Sequence, residues 1–213
     1  MWFILWLPFA AAPAQPARAT RAPDAGAADD AALVAAFKGG DVRAFDALFA
    51  RYGQPIFGYV YRGVGDPALA EELTQEIFLK AFLHLRRTVP QTSFKAWVYR
   101  IATTTCLDAQ RAAARRPIPL HTEEALDLVA DQQAADPEQR LIQHEQRRAV
   151  RRTLDALPAH YRQALLLRQW QGLAYVEIGE ALGISVEAVT SLIHRARQAF
   201  RAAYSQQQQE TDR

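Results

Sequence analysis

Cysteine is almost missing from this chain. Cys106 is the only one in 213 residues, which excludes a disulfide framework and any zinc site built on cysteines. It sits among helix-forming residues, the setting of a packed side chain rather than a reactive thiol. Lysine is scarce as well: of 25 basic residues only Lys38, Lys80 and Lys95 are lysines. Arginine's planar fork suits phosphates and guanine edges, although a GC-rich genome enriches arginine too. Catalytic signatures are also lacking. There is no GxSxG, GxxxxGKS or HExxH, and the five histidines are scattered without a liganding pattern, so an enzyme, a metal, a cofactor and a small-molecule substrate are not expected. Finally, no segment shows sustained strand alternation. Half the residues are hydrophobic, with many Ala and Leu, and the pattern is that of an all-α chain.

Charge is segregated along the chain. Residues 31–116 carry twelve basic and seven acidic side chains, and residues 139–204 carry ten and five, each net +5. Between them, 117–138 carries six acids and no Lys or Arg. Two basic lobes on an acidic tether point to a polyanionic partner met by both lobes. The tether's Ile118, Leu120, Leu126 and Val129 are its candidate apolar anchors on a partner. At the start, MWFILWLPFAAAPAQPARA has an apolar run followed by small residues. It lacks a basic n-region, and the run is too short to span a bilayer. Residues 1–29 are expected to be a disordered extension or to precede the true start, a non-AUG codon near 29–34, because Met1 is the only methionine.

The N-terminal lobe reads as consecutive helices. Asp30 is expected to cap a short helix ending at Gly39-Gly40, and Asp41 to cap DVRAFDALFARY, whose apolar stripe is Val42, Phe45, Leu48 and Phe49. Pro55 suits the first position of a further helix. Asp66-Pro67 opens DPALAEELTQEIFLKAFLHL, with Leu69, Leu73, Ile77, Ala81 and Leu85 in an apolar line and Glu72, Gln75, Glu76 and Lys80 off it. Taken alone, that polar face is a solvated one. The next helix starts near Ser93 and runs to Pro117, with Phe94, Trp97, Val98, Ile101 and Thr105 able to pack inward. Its Arg100, Arg111, Arg115 and Arg116 fit either a strand-tracking aromatic and basic helix or a basic helix end favoured by the macrodipole.

The C-terminal lobe is more specific. Residues 138–156 suit a helix, Pro158 opens another that ends at Gly172, and AYVEIGEAL, Gly183 and a helix capped by Ser185 follow, running to about Tyr204. Gly183 fits the left-handed turn of a helix-turn-helix, and Gly179 allows close crossing. Ile178, Leu182, Ile184, Val189 and Ile193 would lock the pair. An ordinary helical hairpin is the bland alternative. In a reader, Ser185, Glu187, Ala188, Thr190 and Ser191 would face the groove, with His194, Arg195 and Arg197 further along. Glu187 would either accept from cytosine or repel DNA.

Taken in order, these parts resemble a known family. LDALPAHYRQALLLRQWQGLAYVEIGEALGISVEAVTSLIHRARQAFR is similar to region 4 of bacterial RNA polymerase sigma factors of the extracytoplasmic-function (ECF) group. DPALAEELTQEIFLKAF followed by FKAWVYRIATTTCLDAQR is similar to their region 2. The resemblance implies two small helical domains joined by a flexible acidic linker, the second a helix-turn-helix. Region 2 would occupy 30–116, the linker 117–137, region 4 138–204 and a polar tail 205–213.

By that resemblance the chain is a cytoplasmic, non-enzymatic subunit whose partners are core RNA polymerase and promoter DNA. Region 2 would dock on the β′ clamp helices through Glu72, Gln75, Glu76 and Lys80, and region 4 on the β flap. Trp97, Arg100, Thr103, Thr104, Asp108, Arg111 and Arg115 would recognise and melt the minus-ten element. The Ser185 helix would read the minus-thirty-five element. An anti-sigma factor stays open as a further partner. Thr190 and Leu192 stand where many relatives have Lys and Arg, removing two DNA contacts unless Leu192 packs instead. Thr104 replaces a common Asn, and Ala96-Trp97 stands where primary sigma factors have adjacent tryptophans. The rival is a stand-alone helix-turn-helix regulator that binds a palindrome as a dimer.

With one tryptophan wedge in place of two, Trp97 carries the melting step in this reading. Trp97→Ala should lower the open fraction of a promoter by roughly tenfold, given about 1–3 kcal/mol per stacked base. Permanganate reactivity of minus-ten thymines in the holoenzyme measures this, and equal reactivity in variant and wild type would refute the wedge.

Overall fold

The computed structural model describes residues 25–88, 90–115 and 137–211, and every regular element among them is helical. The N-terminal lobe consists of α1 (Ala25–Lys38), α2 (Arg43–Val64), α3 (Pro67–Arg87) and α4 (Phe94–Arg115). The C-terminal lobe consists of α5 (Pro137–Ala156), α6 (Ala159–Leu165) with a π-helical turn (Leu166–Trp170), α7 (Tyr175–Leu182) and α8 (Val186–Thr211). The expected tether, apart from Pro137, and the apolar start fall outside the described residues.

Local chemistry sets most boundaries. The Asp66 carboxylate accepts from the backbone N–H groups of Ala68 and Leu69 at 2.8 and 3.1 Å, and Pro67 follows at the first helical position. Ser93 Oγ accepts from Ala96 N–H at 3.1 Å and fixes the start of α4. Such caps satisfy donors that the first turn leaves orphaned. Gly40 ends the α1 turn at φ 103°, a left-handed conformation that glycine adopts without strain.

Four expectations need correction. Asp30 caps nothing: it lies inside α1, buried, and accepts from Arg51 and Tyr52. These two donors from α2 compensate its burial. Pro55 opens no helix but sits inside the continuous α2. An interior proline costs about 3 kcal/mol, here offset by burial of Tyr52, Ile56 and Tyr59 on either side. Of the expected α2 stripe only Phe45 and Leu48 are buried; Val42 and Phe49 are exposed, the Phe49 ring lying edge-on to Phe78 at 4.7 Å. The polar tail is helical as far as Thr211, held where the Thr153 hydroxyl donates to Gln207 at 2.9 Å.

The α3 line holds, with Leu73, Ile77, Ala81 and Leu85 buried and Leu69 half-buried. In the core Phe37, Phe45 and Phe82 meet at ring distances of 5.1–5.4 Å. Cys106 is buried and its thiol is pushed up to about 12 by desolvation, as expected of a packing residue. In the other lobe Arg162 binds the end of α5, donating to the carbonyls of Leu154 at 2.9 Å and Asp155 at 2.7 Å. Ile178, Val189 and Ile193 are buried between α7 and α8, whereas Ile184 is exposed in the turn.

That turn depends on Gly179. A Cβ there would lie 2.8 Å from the carbonyl oxygen of Ile184, a backbone atom that cannot swing away. Gly179→Ala should therefore destabilise the chain by about 1–3 kcal/mol. Denaturant unfolding of the full chain checks this, and an unchanged midpoint would contradict so close a crossing.

Candidate nucleic-acid interface

Helix α8 carries one candidate surface. Ser185 Oγ accepts from Ala188 N–H at 3.3 Å and caps it, and Gly183 turns the chain into it at φ 70°. Val189, Leu192, Ile193 and Ala196 are buried on one side. Ser185, Glu187, Ala188, Thr190, Ser191, His194, Arg195 and Arg197 are all exposed, so every candidate from the sequence falls on the open face. Leu192 packs rather than leaving a gap at the surface. Glu187 is held below the usual carboxylate range by its own backbone N–H and by the Ser185 hydroxyl. It therefore presents a full negative charge at neutral pH, an acceptor for a cytosine amine and a repellent to phosphate.

Helix α4 carries the second. Trp97, Arg100, Thr104, Asp108 and Arg111 recur at three- and four-residue steps on one stripe, and Arg115 continues the spacing at the last helical position. Arg100, Thr104, Asp108 and Arg111 are exposed and Trp97 is half-buried. The indole leans on Phe94 and His84 at ring distances of 5.8 and 6.4 Å, which fixes its plane while leaving part of it to solvent. Asp108 and Arg111 form an exposed ion pair at 3.0 Å. Thr103 does not join this stripe. It is buried on the far side of α4 with Ala96 and Tyr99.

What covers Thr103 is the other lobe. α7 lies along α4, and the π-helical turn lies against α2. Tyr59, fully buried, donates its hydroxyl proton to Gln163 Oε1 of α6. With that proton committed, the 2.8 Å contact between Tyr59 and Thr103 requires the threonine hydroxyl to donate. Tyr99 donates to Gln171 Oε1 at 2.6 Å, and its ring stands edge-on to Tyr59 at 5.5 Å. Desolvation drives both phenols well above their ordinary range, so both stay neutral and keep the proton they donate to glutamine. Lys95 and Glu177 pair across the lobes at 3.3 Å. The Arg100 guanidinium reaches the helix-turn-helix, 3.8 Å from where a Gly183 Cβ would stand.

A third surface lies on α3. Glu72, Gln75, Glu76 and Lys80 are all exposed. Lys80 is tied down, paired with Glu76 at 2.6 Å and donating to Thr105 Oγ1 at 3.2 Å. Between and beyond them, Leu79 and Leu83 are 54% and 50% exposed, among the most exposed large apolar side chains described. Sequence reading passed over these leucines because it followed the buried line of α3. The available signal was two leucines four apart, falling on the helix side opposite Leu73, Ile77 and Ala81. Among the described residues, no group of acidic, His and Cys side chains could hold a metal ion, and no helix is long and apolar enough to cross a membrane.

Known proteins are similar to this chain over most of its length. Residues 48–116 match the model for sigma-70 region 2, and residues 147–200 match that for sigma-70 region 4. The RNA polymerase sigma-H factor of Pseudomonas aeruginosa is 35% identical over 176 residues, covering 80% of this chain and 91% of that protein. The ECF RNA polymerase sigma-E factor of Escherichia coli K12 is 34% identical over 179 residues, covering 80% and 92%. Among solved structures, CnrH bound to the cytosolic domain of CnrY superposes with a TM-score of 0.61 at 26% identity, over 82% of this chain and 96% of that one. The sigma factor RpoE of Bartonella quintana, solved with the anti-sigma factor NepR, shares the fold at a TM-score of 0.60 and 17% identity, over 77% and 98%. The chain belongs to the ECF sigma factors of bacterial RNA polymerase, the subunits that direct core polymerase to promoters.

Proposed function

We propose that the work is divided among the three surfaces. α8 reads the minus-thirty-five duplex through Ser185, Glu187, Ala188, Thr190 and Ser191, with His194, Arg195 and Arg197 positioned for the phosphates. α4 receives the minus-ten strand along Trp97, Arg100, Thr104, Asp108 and Arg111, the indole acting as the wedge. Thr103 acts behind this stripe, through its place under Tyr59. α3 docks on the β′ clamp helices, and region 4 on the β flap. Region 2 is taken as 30–116, the acidic connector as 117–137 and region 4 as 138–204. The role is non-enzymatic and cytoplasmic, since core polymerase and promoter DNA are there. A partner of the NepR kind is carried over from the Bartonella neighbour as a class only.

One observation carries the docking assignment of α3: Leu79 and Leu83 stand exposed in the middle of its polar face. An apolar pair ringed by Glu72, Gln75 and Glu76 has the composition of a docking patch, with an apolar centre and a polar rim. Burying a leucine contributes about 1.5–3 kcal/mol. Leu79→Asp with Leu83→Asp should accordingly weaken the affinity for core polymerase at least about tenfold while helicity is unchanged. Fluorescence anisotropy of labelled protein titrated with core measures this, together with run-off transcription. Undiminished binding and transcription would show that core polymerase docks elsewhere than on this pair.

The two kinds of contact on α8 separate by salt. Arg195→Ala should weaken holoenzyme binding almost equally across minus-thirty-five sequences and reduce the salt slope by about 1. Glu187→Gln should instead change preference at a single base pair. A sequence-dependent loss at Arg195 would mean that it reads a base.

A further inference from the structure

Four of the eight large apolar side chains that stand exposed among the described residues lie on two neighbouring helices, Val42 and Phe49 on α2 and Leu79 and Leu83 on α3. Ring contacts fix how these helices run. Phe45 meets Phe82 at 5.1 Å and Phe49 meets Phe78 at 4.7 Å, so α2 and α3 are antiparallel, with Phe49 level with Leu79 and Val42 level with the last turns of α3. Val42 and Phe49 are two turns apart on one side of α2, and Leu79 and Leu83 are one turn apart on one side of α3. Gly53 offers no side chain beside the Phe49 ring, which lies 3.7 Å from where its Cβ would stand. The result is an apolar strip that crosses from α2 to α3 and is wider than the leucine pair alone. Its ends differ in charge. At one, Arg86 lies over the Phe82 ring at 5.6 Å; at the other stand the exposed carboxylates of Glu71 and Glu72.

The chain carries a segment of matching chemistry ahead of α1. Residues 1–17 hold no charged side chain, WFILWLPF at 2–9 is apolar throughout, and Arg18 and Arg21 follow. α1 leads from that segment to the acidic end of the strip. Its Phe37 meets Phe45, and its Asp30 accepts from Arg51 and Tyr52, so α1 runs antiparallel to α2. By the same ruler Ala25, the first residue of α1, falls level with Ile56 or Phe57 and hence with the first turns of α3. Going back along the chain from there, the two arginines come first and the apolar run next. The 15 residues from 10 to 24 extend to about 50 Å, more than the length of α3, about 32 Å. We propose that residues 2–9 dock on the strip formed by Val42, Phe49, Leu79 and Leu83, with Arg18 and Arg21 set against Glu71 and Glu72, and so compete with core polymerase for α3. The docking stands on the strip and the segment; the competition rests on the assignment of α3 to core polymerase. Two Trp and two Phe in the run bring about 150–250 Å² of surface each. A tether this short gives the segment a high effective concentration, so a contact too weak to hold two separate molecules is populated within one chain.

Benzoylphenylalanine in place of Trp6 should, on irradiation of the full chain, join to peptides of α2 or α3 within the same molecule. Leu79→Asp with Leu83→Asp should cut that yield at least fivefold at unchanged helicity. A chain that starts at Ala25 keeps every described helix, and it should bind core at least fivefold more tightly than the full chain in the anisotropy titration. Arg18→Glu with Arg21→Glu should shift core affinity in the same direction, by an amount that shrinks as salt screens the pairing. Cross-links to α5 or α8, cross-links to a second copy, or a yield indifferent to the leucine substitutions would each overturn the docking. So would a full chain that co-sediments with vesicles of phosphatidylethanolamine and phosphatidylglycerol and leaves α2 and α3 unlabelled, since the segment would then belong to a lipid surface. Cross-links confined to the strip, with equal core affinity for the full and shortened chains, would uphold the docking and instead fault the assignment of α3.

Discussion

Helix α4 has to satisfy three environments at once, and the rest of the molecule is arranged around that demand. Phe94, Val98, Ala102 and Cys106 fill the core against α2 and α3, Ala96, Tyr99 and Thr103 lie under the other lobe, and Trp97, Arg100, Thr104, Asp108 and Arg111 are left to solvent or nearly so. A helix offers about 100° of arc per residue, so three stripes consume the whole circumference. A substitution that repacks either buried stripe therefore bears on the tilt at which the open one is presented. The small residues Ala96 and Thr103 make the second stripe shallow enough for α7 to lie close.

Electrostatics and packing divide the labour differently in the two lobes. In the C-terminal lobe the recognition face is sparse: one carboxylate, small hydroxyls, and arginines only towards the distal end. Such a face discriminates weakly by itself, since each good bidentate base contact contributes about 1–3 kcal/mol. If it is mounted beside a second reader on core polymerase, as proposed, it requires little affinity of its own. In the N-terminal lobe the exposed leucines of α3 and the ion pair between Glu76 and Lys80 put apolar contact ahead of charge. The nominated lysine is largely spent inside its own lobe, tied to Glu76 and Thr105.

Much of this was legible in the sequence for identifiable reasons. Asp66-Pro67, Ser93, Gly183 and Ser185 mark helix ends through local chemistry, which a linear reading captures well. Periodicity located the buried line of α3 and the open face of α8. What escaped was non-local. Asp30 looks like a cap until Arg51 and Tyr52 arrive from another helix, and Pro55 looks like a start until buried neighbours carry α2 through it. Thr103 shares its neighbourhood in sequence with the open stripe, yet a residue one position from Thr104 points about 100° away from it. Nothing in the spacing of Tyr59, Tyr99, Gln163 and Gln171 reveals that they meet, because the paired residues are 104 and 72 positions apart.

Helix α8 spans 26 residues, about 39 Å at 1.5 Å per residue. Its first turns carry the face proposed to read DNA, while Gln207 near its other end is bonded to Thr153 of α5. The helix is in that sense a lever, one arm open to solvent and the other anchored on the helix that begins the lobe. A tilt of its first turns pivots about that anchor, so the hydrogen bond between Thr153 and Gln207 helps to set the angle at which Ser185, Glu187 and Thr190 are presented.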